Sequence, residues 1–280
     1  MEIITDPQEM QQRALAAKRA GQRIAFVPTM GYLHAGHLSL LQEGRQRGDL
    51  LVLSIFVNPT QFGANEDLST YPRALEHDCE LARNAGTDLV FAPEAAALYP
   101  ADASTWVNVE GLTEVLCGAS RPGHFRGVTT VVTKLFNLVQ PDVALFGCKD
   151  FQQLAVIKRM VRDLDLPVEI VGMPIVREAD GLALSSRNVY LAPGERQQAL
   201  ILSRSIATAR QLAAAGEDDA GAVLAVIRSL ISGMPAARID YLQICHQETL
   251  REQAQIDSDS VLLLAVFVGK TRLIDNSFLL

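Results

Sequence analysis

Short apolar runs alternate with helical patterns from the first residues of the chain to about residue 175. The apolar runs predict strands at Arg23–Val27, Leu50–Val57, Asp88–Phe91, Val143–Gly147 and Val168–Val171. The patterns between them predict helices at Leu38–Gln46, Arg73–Ala85, Val128–Val139 and Phe151–Asp163. Strands that are almost entirely apolar are typical of parallel sheets buried on both faces. The alternation therefore predicts an α/β fold with a doubly wound, Rossmann-like parallel sheet.

The last hundred or so residues have a different order of elements. Two amphipathic helical patterns come first, at Glu195–Ala215 and Asp219–Ile231. They are followed by predicted strands at Arg238–Ile244, Val261–Val268 and Arg272–Ile274. Helices followed by strands are typical of a small α+β domain. We therefore predict a Rossmann-like domain over residues 1–175 and a smaller C-terminal α+β domain over residues 176–280.

The composition excludes several classes of function. The chain has 280 residues, a net charge of −7 and a sequence pI near 5.3, which argue against a nucleic-acid-binding surface. No apolar run reaches the roughly 18 residues that span a bilayer, and the first residues resemble no signal peptide. The four cysteines form no Cys-x-x-Cys pair. We expect a cytoplasmic protein without a disulfide framework, a zinc site, a nucleic-acid partner or a membrane partner.

Two histidines stand at the start of a predicted helix, directly after the first predicted strand. They are His34 and His37, in the segment Pro28–His37. A helix N-terminus offers unpaired N–H groups and a positive dipole end to an anion, and histidines add donors to phosphate oxygens. Gly36 leaves no side chain where a nucleotide could lie against the backbone. The segment favours binding of a nucleoside triphosphate; taken alone, it is also compatible with a surface pair or a metal clip.

Polar motifs follow two further strands, at the edge where ligands bind in such sheets. Asn58 and Gln61 are both donors and acceptors, suited to a small polar substrate, although a capped turn is an equal alternative. Lys149 offers a point charge to phosphate and Asp150 an acceptor to a ribose hydroxyl, and Gln153 lies one helical turn beyond Lys149. A helix cap at Asp150 is the alternative there.

Two loops add cationic groups. In Arg121–Gly127, Arg121 or Arg126 could clamp a carboxylate or phosphate, although a solvated loop is the simpler interpretation. After the turn signal Asp180-Gly181, two serines and Arg187 form a sensible pyrophosphate clamp, or a plain polar loop.

Taken together and in order, these motifs closely resemble those of the pantothenate synthetase (pantoate–β-alanine ligase) family. The resemblance is carried by Pro28–Gly31 with His34 and His37, Asn58–Phe62, Arg121–Val128, Lys149–Gln153, Asp180–Asn188 and Leu273–Asn276. The His-x-x-His element then looks like the HIGH-type signature shared with class I aminoacyl-tRNA synthetases and cytidylyltransferases. The resemblance implies ATP-dependent condensation of pantoate with β-alanine through a pantoyl adenylate, with release of AMP and pyrophosphate, in a homodimer that uses Mg²⁺.

The resemblance also implies roles for single residues. His37, His34 and Lys149 would be catalytic, with His37 as proton donor or transition-state stabiliser. Gln61, Gln153 and Arg121 would bind pantoate, and Gln61 would also meet β-alanine. The ATP site would comprise Met30, Gly31, Tyr32, Leu33, His34, Ala35, Gly36, His37, Gly147, Cys148, Lys149, Asp150, Val176, Leu184, Ser185, Ser186 and Arg187. We expect no all-protein metal cage, because Mg²⁺ commonly keeps waters and substrate oxygens.

One departure and two alternatives accompany the resemblance. The family usually has Gly-Glu-Lys-Asp where this chain has Gly147-Cys148-Lys149-Asp150, and the change matters only if that Glu acts through its side chain. Another adenylylating or cytidylylating enzyme is the first alternative, against which Gln61 and Gln153 suit a small hydroxy acid. A non-catalytic nucleotide sensor is the second, and it predicts ATP binding without release of pyrophosphate.

Overall fold

The computed structural model describes residues 1–64 and 66–280, and in these residues the strands form two sheets. The larger sheet has six strands, all parallel, in the order β1-β4-β3-β2-β5-β6, and the smaller has three antiparallel strands in the order β7-β8-β9. The strands are β1 (Glu2–Ile4), β2 (Ile24–Thr29), β3 (Leu50–Ile55), β4 (Leu89–Phe91), β5 (Val143–Gly147), β6 (Glu169–Met173), β7 (Ala237–His246), β8 (Ser260–Val268) and β9 (Thr271–Phe278).

Helices connect the strands of the large sheet and precede those of the small one. The α-helices are α1 (Pro7–Arg19), α2 (Ala35–Arg47), α3 (Leu75–Asn84), α4 (Ala95–Leu98), α5 (Cys117–Ser120), α6 (His124–Val139), α7 (Phe151–Asp163), α8 (Pro193–Ala199), α9 (Ile201–Ala214) and α10 (Ala220–Ser232). Short 3₁₀ turns lie at Pro59–Gln61, Cys148–Asp150 and Ser186–Tyr190. The predicted fold class, a doubly wound parallel sheet followed by a smaller α+β part, is confirmed.

The order of the strands fixes where a ligand can bind. From β2 the chain proceeds to β3 and β4 on one side of the sheet, whereas β5 and β6 lie on the other side. The reversal lies between β2 and β5, and such a switch point leaves a crevice at the carboxyl ends of the strands. β2 pairs with β5 only near the start of each strand, where Ala25 lies opposite Val143 and Phe26 lies opposite Ala144. The edge that carries the histidine and lysine motifs is therefore open.

Several elements differ from the sequence prediction. β1 and α1 were not predicted, although Asp6 caps α1 and Pro7 occupies its first turn, a recognisable start signal. α6 begins at His124 rather than Val128, because Gly123 takes up a left-handed conformation with φ 84° and the helix follows at once. The single helix predicted over Glu195–Ala215 is two helices, α8 and α9. The last strand continues to Phe278, well beyond the predicted Ile274.

Buried side chains join the two parts of the molecule. One cluster on the large sheet includes Phe26, Phe146 and Leu154, and it also contains Val261 and Leu263 of β8. The other face of the small sheet packs on α9 and α10 in a cluster of its own. Because β8 contributes to both clusters, the C-terminal sheet is packed against the large sheet and its helices as well as against its own helices.

Candidate active site

A cavity of about 250 Å³ lies at the carboxyl ends of β2 and β5, where the strand order reverses. We call this cavity the cleft. Its lining contains most of the residues singled out in the sequence: Met30, His34, Gly36, His37, Asn58, Gln61, Arg121, Gly147, Lys149, Asp150, Gln153, Val176, Leu184, Ser185, Ser186 and Arg187. The structure thus brings together five motifs that are far apart in the chain.

The two histidines are held by hydrogen bonds at the start of α2. His34 is the N-cap, and its Nδ1 accepts from the backbone N–H of Gly36 at 3.2 Å. Nδ1 of His37 accepts from the backbone N–H of His34 at 3.3 Å, and the ring centroids are 4.1 Å apart. Since a neutral imidazole with an accepting Nδ1 carries its proton on Nε2, both rings keep an Nε2–H donor.

Burial keeps these rings neutral. It lowers the pKa of His34 to about 4, with help from the positive charge of Lys149. It lowers the pKa of His37 to about 3, with smaller contributions from His34 and Lys149. At neutral pH the rings are therefore hydrogen-bond donors rather than cations, which favours the stabilising role predicted for His37 over proton donation from an imidazolium.

Gly36 has a structural role besides the one predicted for it. A Cβ at this position would lie 2.9 Å from Cε1 and 3.0 Å from Nδ1 of His34. Contacts this short require a shift of the ring, so the glycine lets the N-cap imidazole fold back over the first turn of α2. The ring of His34 can accept the Gly36 N–H for this reason.

A buried carboxylate that the sequence analysis did not single out holds the loop that precedes the histidines. Asp78 of α3 is 1% exposed and accepts from the N–H groups of Tyr32 at 2.8 Å and Leu33 at 2.7 Å. Gly31 has φ 87° and Tyr32 φ 53°, so the loop makes a left-handed turn. The N–H groups of Tyr32 and Leu33 point to Asp78, and neither residue lines the cleft.

Gln61 is positioned by close packing of its 3₁₀ turn on α6. Its Oε1 accepts from Nδ2 of Asn58 at 3.0 Å, and Asn58 Nδ2 also donates to the carbonyl of Gly127 at 3.1 Å. A Cβ on Gly127 would lie 2.5 Å from the carbonyl oxygen of Thr60. Gly127 therefore permits an approach that a larger residue would prevent, and Asn58 is a turn cap as well as a cleft residue.

His124 links this turn to Arg121. Its Nδ1 lies 2.9 Å from the carbonyl oxygen of Gln61, and its Nε2 lies 3.2 Å from Nη1 of Arg121. Burial, and then the charge of Arg121, lower the pKa of His124 to about 4. The neutral ring thus donates from Nδ1 and accepts at Nε2. Arg126, the other cation considered for a clamp, lies outside the cleft over the ring of Trp106, 4.8 Å from its centroid.

The residues after β5 divide between the cleft and the core. Lys149, Asp150 and Gln153 line the cleft, whereas Gln152 is buried and bonds to backbone groups around α5. Asp150 occupies the N-cap position of α7, as the helix-cap alternative expected, but its side chain makes no capping hydrogen bond. The thiol of Cys148 lies outside the cleft lining, next to Gly172, and burial raises its pKa.

Two cleft arginines are paired with adjacent acidic residues of one loop. Arg187 makes a bidentate ion pair with Asp67, with both N–O distances at 2.9 Å. Arg121 pairs in the same way with Glu66, and Nε donates to Oε1 at 2.7 Å. Both pairs are partly buried. The guanidinium groups that were predicted to bind substrate are thus bound to carboxylates of the chain itself.

The serines beside Arg187 also have partners within the protein. Oγ of Ser185 accepts from the N–H of Arg187 at 3.2 Å and caps the 3₁₀ turn Ser186–Tyr190. Oγ of Ser186 lies 3.3 Å from the hydroxyl of Tyr71, which is buried. Tyr71 was not predicted to contribute, since nothing in its local sequence distinguishes it from an ordinary core tyrosine.

A larger cavity of about 730 Å³ adjoins the cleft on the side of the small sheet. It shares Arg121, Lys149, Asp150, Gln153 and Arg187 with the cleft lining. Its far wall comes from β7, β8 and β9, including Asp240, Tyr241, Arg272 and Asn276. The C-terminal part therefore closes one side of a space that is continuous with the cleft.

Two further features concern metals and membranes. Within residues 1–64 and 66–280, no three His, Cys, Asp or Glu side chains are grouped so that they could hold a metal ion. None of the helices in that same part of the chain combines the length and apolar character that a membrane crossing requires.

Known proteins resemble this chain over its whole length. A family model described as "Pantoate-beta-alanine ligase" matches residues 2–278. The pantothenate synthetase of Syntrophotalea carbinolica is 61% identical over 280 residues, covering 100% of this chain and 99% of the relative. That of Trichlorobacter lovleyi is 61% identical over 279 residues, with the same coverage.

Solved structures agree with these relatives. The crystal structure of pantothenate synthetase from Thermus thermophilus has a TM-score of 0.95 at 47% identity, covering 100% of this chain and 99% of that one. The pantoate-β-alanine ligase of Francisella tularensis, complexed with beta-gamma ATP and β-alanine, has a TM-score of 0.82 at 32% identity, covering 99% of this chain and 97% of that one.

Proposed function

The chain belongs to the pantoate–β-alanine ligase family, and we propose that the cleft carries out the family's reaction with the residue roles given below. The reaction is the ATP-dependent condensation of pantoate with β-alanine to pantothenate. It proceeds through a pantoyl adenylate and releases AMP and pyrophosphate. A carboxylate is a poor acyl donor, and adenylation supplies a good leaving group, so the protein's contribution is positioning and charge stabilisation.

In the first step a carboxylate oxygen of pantoate attacks the α-phosphorus of ATP, and the bond to the β-phosphate oxygen breaks. Negative charge accumulates on the phosphate oxygens as pyrophosphate leaves. The Nε2–H groups of His34 and His37 donate to these oxygens, and Lys149 adds a point charge close to both rings. Such donors are most effective in a partly buried site, where they need no reorganisation during the reaction.

The other ATP contacts are proposed from their places in the cleft. Ser185, Ser186 and Arg187 take the leaving pyrophosphate, and Asp150 accepts from the ribose. Val176 and Leu184 line the same end of the cleft. Met30, Gly36 and Gly147 also line the cleft and complete the proposed ATP site. The lining does not include Gly31, Tyr32, Leu33, Ala35 and Cys148, and we assign these to the ATP-binding segments by resemblance alone.

Pantoate needs both polar and apolar contacts, because it has two hydroxyls, a carboxylate and two methyl groups on one carbon. The carboxamides of Gln61 and Gln153 are placed to bind its oxygens, with Arg121 nearby. Phe56, together with Val131 and Val132 of α6, forms an apolar wall that suits the methyl groups. Gln61 also meets β-alanine in our assignment.

In the second step the amine of β-alanine attacks the activated carbonyl carbon. The bond between that carbon and the phosphate oxygen breaks, and AMP leaves with that oxygen. The nitrogen releases its extra proton to solvent, which gives the neutral amide. The cleft has to hold the adenylate and exclude competing water, and the same contacts to phosphate and pantoate serve that purpose.

Mg²⁺ fits the donor set only as a companion of ATP. Asp150 is the acidic side chain in the cleft lining, and the described residues contain no group of three potential ligands. We propose that phosphate oxygens and water hold the ion, which is a common arrangement for Mg²⁺. When bound, it would neutralise phosphate charge.

Three broader assignments follow from family membership. We propose that residues 1–175 bind ATP and pantoate and that residues 176–280 form the lid over them. We further propose a homodimer in the cytoplasm. Sedimentation equilibrium of the purified chain tests the dimer, since it measures the mass of the assembly directly.

The observation that carries the proposal is the meeting of two Nε2–H donors, one lysine and two carboxamides in a single cleft at the switch point. The test is release of pyrophosphate from ATP and Mg²⁺ with pantoate, with and without β-alanine. We expect pantoate-dependent release, with AMP and pantothenate appearing once β-alanine is added. ATP binding without any release would instead favour the nucleotide sensor.

A further inference from the structure

Two adjacent residues of β9 contact two segments that line the cleft, the turn Cys148–Asp150 and the segment that begins at Val176. They are Asp275 and Asn276, which are 2% and 6% exposed. Successive residues of a strand point to opposite sides, and here each one reaches a different segment. Asn276 contacts the turn that carries Lys149, and Asp275 contacts the segment that begins at Val176.

Asn276 fixes the turn from outside. Its Nδ2 donates to the carbonyl oxygens of Cys148 and Lys149, both at 2.9 Å. The turn Cys148–Asp150 has no side-chain cap of its own at Gly147, and Asp150 provides none for α7. A single carboxamide from the C-terminal sheet therefore holds two consecutive carbonyls of the backbone that carries Lys149.

Asp275 holds the second segment through Arg177. Its carboxylate accepts from Nη1 of Arg177 at 2.7 Å and from Nη2 at 2.9 Å. Arg177 is bridged to Ala183, and the N–H of Leu184 donates to the carbonyl of Val176 at 3.0 Å. The ion pair thus anchors a small hairpin, both ends of which line the cleft.

We infer that Asp275 and Asn276 are positioning residues, which fix from β9 the two segments that hold ATP. The inference rests on the proposed function, because that function assigns these segments to the nucleotide. The C-terminal sheet would then do more than cover the cleft, because it would also position the groups that take part in adenylation. Asn276 acts through the backbone of Lys149, and Asp275 acts through Arg177.

A double-mutant cycle tests the part of Asn276. We expect N276A to lower kcat/KM for ATP in pantoate-dependent pyrophosphate release by about tenfold, the scale of a lost hydrogen-bonded support. Because Asn276 acts through Lys149, the same change on a K149A background should lower kcat/KM for ATP by about twofold or less. Equal losses on both backgrounds would overturn the inference, since a purely structural role predicts additivity.

Further variants separate positioning from loss of fold. N276D keeps the shape of the side chain but turns a carboxylate toward two carbonyl oxygens. Its kcat/KM for ATP should therefore fall as much as that of N276A, and its melting temperature checks that it is folded. S277A is the matched control on β9, since Oγ of Ser277 donates only to the nearby carbonyl of Phe278 among the contacts of the described residues.

D275N tests the part of Asp275. It should raise the KM for ATP and leave the KM for pantoate unchanged; an unchanged KM for ATP would overturn the part of Asp275.

The inference and the proposed function fail in different ways. If the wild-type chain releases no pyrophosphate with pantoate, the proposed function fails, and calorimetry with a non-hydrolysable ATP analogue then decides the inference. The inference is supported if the analogue binds more weakly to N276A than to S277A and if this difference disappears on the K149A background. Equal binding by N276A and S277A overturns it.

Discussion

The histidine side and the arginine side of the cleft are prepared for substrate in different ways. On the histidine side, backbone N–H groups occupy Nδ1 of His34 and His37 and leave both Nε2–H groups as donors. On the arginine side, the guanidinium groups of Arg121 and Arg187 already bind carboxylates. The first side is arranged before substrate arrives, whereas the second must exchange one anion for another.

This difference follows from the chemistry of the groups. A neutral imidazole has no charge to desolvate, so its burial costs far less than that of a cation. The bond at Nδ1 holds the ring in a fixed orientation until phosphate binds at Nε2–H. A buried guanidinium without a counter-charge is costly, and Glu66 and Asp67 provide that counter-charge. Changes on the histidine side should therefore reduce catalysis, whereas changes to the acidic partners should alter substrate affinity.

The largest effect is expected from His37→Ala, which removes a prearranged donor. We predict that it lowers turnover by roughly 10²–10³, the usual scale for one transition-state donor, with the pyrophosphate-release assay as the measurement. His77→Ala is the matched control, because His77 is exposed on α3 and lies outside the cleft lining. Turnover of H37A equal to that of the control would refute the role of His37.

A second effect concerns pH. The folded-state pKa values of His34 and His37, about 4 and about 3, lie below the value of 6.5 for an unperturbed histidine. Between pH 6.5 and these values the unfolded chain binds more protons than the folded one, so the free energy of unfolding falls as pH falls.

Chemical denaturation between pH 7 and 4.5 measures this fall. Replacing both histidines with glutamine should reduce the slope, because the titrating groups are gone. A long-range ¹H–¹⁵N spectrum at pH 7 should show both wild-type rings as Nε2–H tautomers. An Nδ1–H tautomer for either ring would contradict the arrangement on the histidine side.

A smaller effect is expected on the arginine side from Asp67→Asn. The change keeps the shape of the side chain and removes the charge that ATP must displace from Arg187. We predict that KM for ATP falls by about threefold, consistent with the modest net energy of a partly exposed ion pair. Glu66→Gln is the matched comparison and should lower KM for pantoate instead. A large rise in KM for ATP in D67N would mean that Asp67 orients Arg187 rather than occupying it.

Sequence alone located the elements whose signals are local. The apolar runs predicted β2 to β6 because burial on both faces requires such runs, and the polar residues at their ends include His34, Lys149 and Gln61. The placement of these residues in one cleft is observed, while their catalytic roles stay predictions. Residues 2–4 were missed as a strand because three residues at a sheet edge give no period to recognise.

The supporting residues could not be found in this way. Asp78 acts on a loop 45 and 46 residues away in the chain, and Asn276 acts on a turn 127 and 128 residues away. The sequence predicts an ordinary helix around Asp78 and a strand that ends at Ile274, before Asn276. The bonds that define the roles of these two residues exist only after folding. Sequence reasoning therefore identified the groups proposed to meet substrate. It singled out Leu273–Asn276 only as part of the resemblance, without the supporting role of Asn276, and it did not single out Asp78.

The smallest effect is expected from Cys148→Glu, which restores the residue that the family usually has. The Cys148 side chain lies outside the cleft lining, near Gly172 and within the influence of the Lys158 charge. The contact that Cys148 makes with β9 is through its backbone, because its carbonyl oxygen accepts from Nδ2 of Asn276.

A glutamate at position 148 would extend toward Lys158 rather than toward ATP, and an exposed pair of that kind contributes about 1 kcal/mol at most. We therefore predict that KM for ATP in C148E changes by about twofold or less, measured with the same assay over a range of Mg²⁺ concentrations. A larger change, or a shifted Mg²⁺ requirement, would show that this position reaches the nucleotide through its side chain and that the prearranged part of the cleft extends beyond the histidines.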